Sequence, residues 1–144
     1  MYSRKKRKSG SGIVETAAGL IVLIPVLLIL VDVAALVMSQ TANDALAKQC
    51  ARAAADEPSI SGSTNPLMVT AATDAYNHYP DSYMVKKSGA GPTVKDNGDG
   101  TVTVNTTITC TLPVPVPFSG IASTNFQAFS TEPIVGELPT GVLP

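Results

Sequence analysis

The chain has 144 residues and a formal charge of −1, with only two cysteines, one histidine and no tryptophan. That length holds one membrane helix and one small domain with a thin core. Five of the ten basic residues are Arg4, Lys5, Lys6, Arg7 and Lys8; without them the charge falls to −6, which argues against nucleic acid as a partner because nucleic-acid binding needs clustered cations.

The basic leader is followed by an apolar run from Ile13 to Met38 whose only charges are Glu15 and Asp32. About 20 apolar helical residues cross a bilayer core, so the run is long enough to span. Positive charge on its N-terminal side places the N-terminus in the cytoplasm and the rest outside. A removable signal peptide is the first alternative, but such peptides have a shorter apolar stretch and an adjacent small-residue cleavage site. Ala45-Leu46-Ala47 has that form and lies too far downstream. Within the span, Pro25 deprives the Ile21 carbonyl of its usual donor and predicts a kink. Glu15 sits near one interface and Asp32 near the other, where Asp32 reaches water. An ionisable group in a membrane has a partner or a task unless it lies at the headgroups, and for Glu15 both readings stand on position alone.

The string Lys8-Ser9-Gly10-Ser11-Gly12-Ile13-Val14-Glu15 resembles the processing site of type IV pilin-like proteins: a basic leader, a glycine, and a glutamate five residues later at the start of an apolar helix. Together with Ile24-Pro25-Val26-Leu27-Leu28 and Cys50-Ala51-Arg52-Ala53-Ala54-Ala55, it is similar to the TadE/TadG-like pseudopilins of tight-adherence (Tad) systems, over about residues 4 to 57. The resemblance implies an α+β, pilin-like fold and cleavage by a prepilin peptidase between Gly10 and Ser11. It also implies assembly with other pilins, pseudopilins and Tad components at a bacterial inner membrane. In that setting Glu15 pairs with the freed amine of a neighbouring subunit and sets axial register. Thr16 stands where the family often has an aromatic residue, and Ser11 where major pilins have phenylalanine.

From Gln40 to Asp56 the chain is rich in strong helix formers, and Pro58 stops it. Ala42, Ala45, Leu46, Cys50, Ala53 and Ala54 form a small-residue stripe expected to receive the chain's own sheet or a neighbouring subunit. Domain organisation follows: residues 1–10 as leader, 11–38 as span, 39–57 as the extramembrane continuation, and 58–144 as an outer α+β domain. The whole helix to Asp56 is about 70 Å long.

Asn65-Pro66 opens a second helix, with Met68, Ala72, Ala75, Tyr76 and Tyr79 on one side, and Pro80 ends it. His78, with no second histidine, reads as a helix-terminal residue and not as a metal ligand. Tyr83 to Lys87 reads as a short strand. In the run from Thr101 to Leu112, Val102, Val104, Thr106, Ile108, Cys110 and Leu112 alternate with polar residues, which predicts a strand buried on one face. Asp96-Asn97-Gly98-Asp99-Gly100 reads as the hairpin turn before it, since a calcium loop needs acids where Lys95 and Thr106 stand.

Cys50 on the helix stripe and Cys110 on the inner strand face either form a disulfide, which an oxidising exterior favours, or remain buried thiols. The bond would stabilise the domain by about 4 kcal/mol. The prolines between Leu112 and Phe118 imply extended chain, Asn125 to Thr131 supplies a last strand, and Pro133 to Pro144 is loosely held. No paired carboxylates, nucleophile elbow or metal spacing stands out, so an enzyme or cofactor protein is not the reading.

Overall fold

Why one helix can be both membrane-like and domain-like is visible in its burial. The computed structural model describes residues 11–59, 64–113 and 122–136. Helix α1 (Ser11–Ala55) runs for 45 residues with Pro25 inside it. Residues 12–31 are exposed on every side, and Asp32 is the first buried residue. From there the buried positions are Asp32, Ala35, Ser39, Asn43, Leu46, Ala47, Cys50, Ala51, Ala54 and Ala55, at helical steps of three and four. The stripe expected from the alanines is thus rotated. Leu46, Cys50 and Ala54 belong to it, Ala42 and Ala53 are half-buried, and Ala45 is exposed. Alanine occurs all round this helix, so its spacing does not identify the face that the sheet covers. Asp32, expected to reach water, is also enclosed at 5% exposure.

The helix ends where Pro58 removes an amide donor. Its last turn tightens, with Glu57 N donating to Ala54 O at 3.3 Å, and Val135 N caps Ala55 O at 2.9 Å. Helix α2 (Pro66–His78) begins at Asn65, whose side-chain oxygen accepts from Leu67 N at 3.0 Å. The same amide donates to Pro58 O at 2.9 Å, tying the start of α2 to the end of α1. Met68, Ala72 and Tyr76, one turn apart, form the buried side. At the other end, the Lys87 ammonium donates to Asn77 O at 3.1 Å and Tyr79 O at 2.6 Å, a cation placed against the negative pole of the helix.

The sheet has four strands, β1 (Val85–Lys87), β2 (Thr93–Asp96), β3 (Thr101–Thr111) and β4 (Ser123–Pro133). All pairings are antiparallel. β3 pairs along its full length with β4, from Thr101 opposite Pro133 to Thr111 opposite Ser123. β1 and β2 share its other edge, β1 beside Ile108–Cys110 and β2 beside Val102–Asn105. The alternation expected in β3 is observed: Val102, Val104, Thr106, Ile108 and Cys110 are buried and the residues between them are not. The hairpin turn is also observed. Gly98 and Gly100 take positive φ of 75° and 80°, Gly98 N is held by the Asp96 carboxylate at 2.9 Å, and Thr101 N by Asp99 at 3.0 Å.

Along one face of this sheet lie α1 and α2, enclosing Leu46, Cys50, Ala51, Ala54, Met68, Ala72, Tyr76, Val102, Val104 and Ile108. The architecture is α+β and pilin-like: a long N-terminal helix, a second short helix and a small antiparallel sheet.

The anticipated cysteine bond is not formed. Both Cys50 and Cys110 are buried free thiols. Cys110 lies against Ser39, with Sγ 2.9 Å from its hydroxyl oxygen. Cys50 is eleven residues further along α1, about 16 Å at 1.5 Å per residue, whereas a disulfide needs Cα atoms within about 7 Å. β3 runs antiparallel to α1, so advancing toward Cys110 moves away from Cys50.

Candidate functional site: the bare shaft and its clamp

The molecule presents two linked features, an uncovered apolar shaft and the polar clamp that fixes the shaft to the sheet. Residues 12–31 form the shaft, and its length and composition suffice to cross a membrane. Glu15 is the one charged residue in it and lies on the exposed surface one turn from the helix start. The next residue, Thr16, bonds back to Gly12 O at 2.7 Å, which satisfies its hydroxyl within the helix. Gly12 and Gly19 have open space where a Cβ would be. With Thr16 they give the first two turns a low profile on which another helix can approach closely. Ser11 opens α1, while Gly10 and the basic leader lie outside the described residues. Pro25 stands within continuous α-helix.

The clamp begins where burial begins. Asn43 is completely buried, and its amide nitrogen donates to Phe126 O at 3.0 Å and, at the longer distance of 3.4 Å, to Thr106 O. In return its side-chain oxygen accepts the Thr106 hydroxyl at 2.8 Å. One side chain therefore grips two paired strands, since Thr106 belongs to the central β3 and Phe126 to its edge neighbour β4. A buried amide costs several kcal/mol unless its bonds are made, so rotating or sliding α1 against the sheet is penalised directly.

One turn earlier, the Ser39 hydroxyl oxygen lies 2.8 Å from Ala35 O and 2.9 Å from Cys110 Sγ. The Ser39 hydroxyl proton and the Cys110 thiol proton together serve this small buried cluster. Beyond the clamp, Cys50 sits in the apolar core, where burial pushes its thiol up to about 11. Burial also raises Tyr76, opposed in part by the bond its hydroxyl donates to Ser88 O at 2.8 Å. Asp99, at the hairpin, is held below the usual carboxylate range chiefly by the Thr101 hydroxyl.

Cys110 and Cys50 are thus assigned to different layers, and Glu15 and Pro25 to the shaft, away from both. The clamp residues Ser39, Asn43 and Thr106 did not stand out in the sequence as contacts. Their signal was present in weak form, since Ser39, Asn43, Leu46 and Cys50 keep the spacing of one helix face while Thr106 occupies an inward position of β3.

A shallow cleft between α2 and the β1–β2 loop is lined by Tyr76, Asn77, Lys87, Ser88 and Gly91 among others. Its cation, Lys87, is already engaged by Asn77 O, Tyr79 O and, at 3.8 Å, the Asp81 carboxylate. Among the described residues no group of three or more His, Cys, Asp or Glu side chains is arranged to hold a metal ion. No family model, curated protein or solved structure matches this chain.

Proposed function

We propose that this chain is a minor pseudopilin-like subunit or assembly factor of a Tad-type pilus or secretion machine, anchored in the inner membrane by α1 with its outer domain outside. The carrying observation is the bare shaft: about 20 apolar residues, exposed on every side and bearing the single charge of Glu15 near its start. A soluble domain gains nothing from leaving such a surface in water, where each buried apolar side chain would contribute about 1.5–3 kcal/mol. A lipid bilayer or a bundle of like helices covers it.

Processing by a prepilin peptidase after Gly10 leaves Ser11 as the new N-terminus and Glu15 as its fifth residue. A new α-amino group and a carboxylate one turn away suit pairing between staggered subunits, and the small residues Gly12, Thr16 and Gly19 allow the helices to approach. Asn43 and Ser39 support the same reading because a shaft that sets register between subunits must not slide within its own domain.

The test is the mass of the N-terminus in cells with an active prepilin peptidase. A chain beginning at Ser11 is expected; one that keeps Met1 to Gly10 makes this an uncleaved single-pass protein displaying a small binding domain. The Glu15→Ala variant is expected to insert in the membrane normally and to fail in assembly. Normal pilus or secretion output from that variant removes the register role.

A further inference from the structure

We propose that the end of the sheet carrying Tyr83, Met84, Thr111 and Leu112 rests on the phospholipid headgroups of the bilayer that α1 crosses, with Tyr83 as its interfacial anchor. This rests on the membrane-crossing reading given above. The wholly exposed segment, residues 12–31, is about 30 Å long, the thickness of a bilayer hydrocarbon core. Burial starts at the next residue, Asp32, and by Ala35 and Ser39 the helix touches β3 through Cys110. No stalk is left between the span and the sheet.

Strand geometry shows which residues meet the membrane. β3 runs down toward the span, because Thr106 bonds to Asn43 and Cys110 lies against Ser39. Beyond Cys110, Thr111 N donates to Met84 O at 2.8 Å and Leu112 N to Ala122 O at 3.0 Å, so among the described residues these form the lower lip of the sheet. Lipid cannot climb past this lip without stripping water from exposed backbone groups. Water cannot descend far below it without wetting the apolar shaft. On the far side of α1, Val33, Val37 and Met38 remain exposed for a further two turns, so one helix face is apolar where the other is already clothed by the sheet. That asymmetry belongs in the headgroup layer.

Tyr83 projects from this lip and is 89% exposed. A tyrosine with its ring and hydroxyl both unshielded fits poorly in bulk water and well at a membrane interface, where the ring meets acyl chains and the hydroxyl meets headgroups. Asp81, two residues before Tyr83 in the chain, is turned back toward Lys87, its carboxylate 3.3 Å from Lys87 N and 3.8 Å from Nζ.

The chain has no tryptophan, so single substitutions report position directly. Full-length Leu23→Trp, Tyr83→Trp and Phe129→Trp are each reconstituted in phosphatidylcholine–phosphatidylglycerol vesicles with bromine at shallow or deep acyl positions. Phe129 is 68% exposed and paired with Asn105, roughly 20 Å up the sheet from the lip, and serves as the aqueous control. Expected is loss of L23W emission to deep bromines, loss of Y83W emission to shallow ones, and quenching of F129W only by aqueous acrylamide. If L23W is quenched but Y83W behaves like F129W, the seating is refuted and the membrane crossing stands. Quenching of Y83W by deep bromines also refutes it, because the lip then lies within the hydrocarbon. An L23W chain untouched by lipid bromine removes the membrane crossing and this proposal with it.

Discussion

Replacing Asn43 tests whether a single amide holds the shaft in register. Asn43→Leu keeps the heavy-atom count of the side chain and removes its polarity. The substitution strands the Thr106 hydroxyl, which donates to Asn43 at 2.8 Å in a completely buried site. It also takes one donor from Phe126 O at 3.0 Å; the Thr106 O contact at 3.4 Å is too long to add much. An unsatisfied buried hydroxyl costs about 1–3 kcal/mol and each lost neutral bond about 0.5–1.5 kcal/mol, so N43L should destabilise the outer domain by about 2–4 kcal/mol. Thr106→Val alone strands the Asn43 oxygen and should cost about 1–2 kcal/mol. In the double variant the hydroxyl and its acceptor are both gone, so the combined loss should fall short of the sum by about 1 kcal/mol or more. The measurement is denaturant unfolding of the detergent-solubilised full chain, followed by far-ultraviolet circular dichroism for all four proteins. Additive losses, or an N43L protein as stable as the parent, would falsify the clamp.

Because Cys50 and Cys110 occupy separate layers, unfolding without reductant and alkylating should add two adducts per chain; a chain that takes none has an intramolecular disulfide and a different packing of β3 on α1. Burial holds the Cys50 thiol protonated up to about 11 against an ordinary value of 9.0. Its folded value is raised, so the contribution is intact below pH 9 and is lost as pH climbs toward 11. The loss amounts to about 2–3 kcal/mol at its limit, and the stability gap between the parent and Cys50→Ala should therefore narrow between pH 8 and pH 10.5. Gly136 sits where an added Cβ would come within 2.9 Å of Pro58 N, backbone against side chain, at the point where Val135 caps α1. Gly136→Val should cost about 1–3 kcal/mol in the same unfolding assay, and an unchanged midpoint would show that this contact is loose.

Several features were legible without coordinates because they depend on neighbours within a few residues. The apolar run with Glu15 at its start, the asparagine-proline start of α2, the glycine-rich hairpin turn and the period of two along β3 all belong to this class. Hydrophobic spacing also put both Cys50 and Cys110 on inward faces correctly. It could not say that they face inward at different heights. That depends on the direction in which β3 crosses α1, which no local pattern records.

The buried side of α1 was ambiguous for a related reason. Alanine is small enough to lie on any side of a helix, so the covered face was decided by which side chains found partners: Asn43 on Thr106 and Phe126, Ser39 beside Cys110. β4 extends two residues beyond its expected run at each end, to Ser123 and Pro133, because the long ladder of β3 offers backbone bonds that its own mixed side chains do not advertise. The sequence by itself determined that the chain is a long apolar helix followed by a small α+β domain. Tertiary structure decided where one becomes the other, at Asp32, because burial there depends on residues distant in the chain folding back onto the helix.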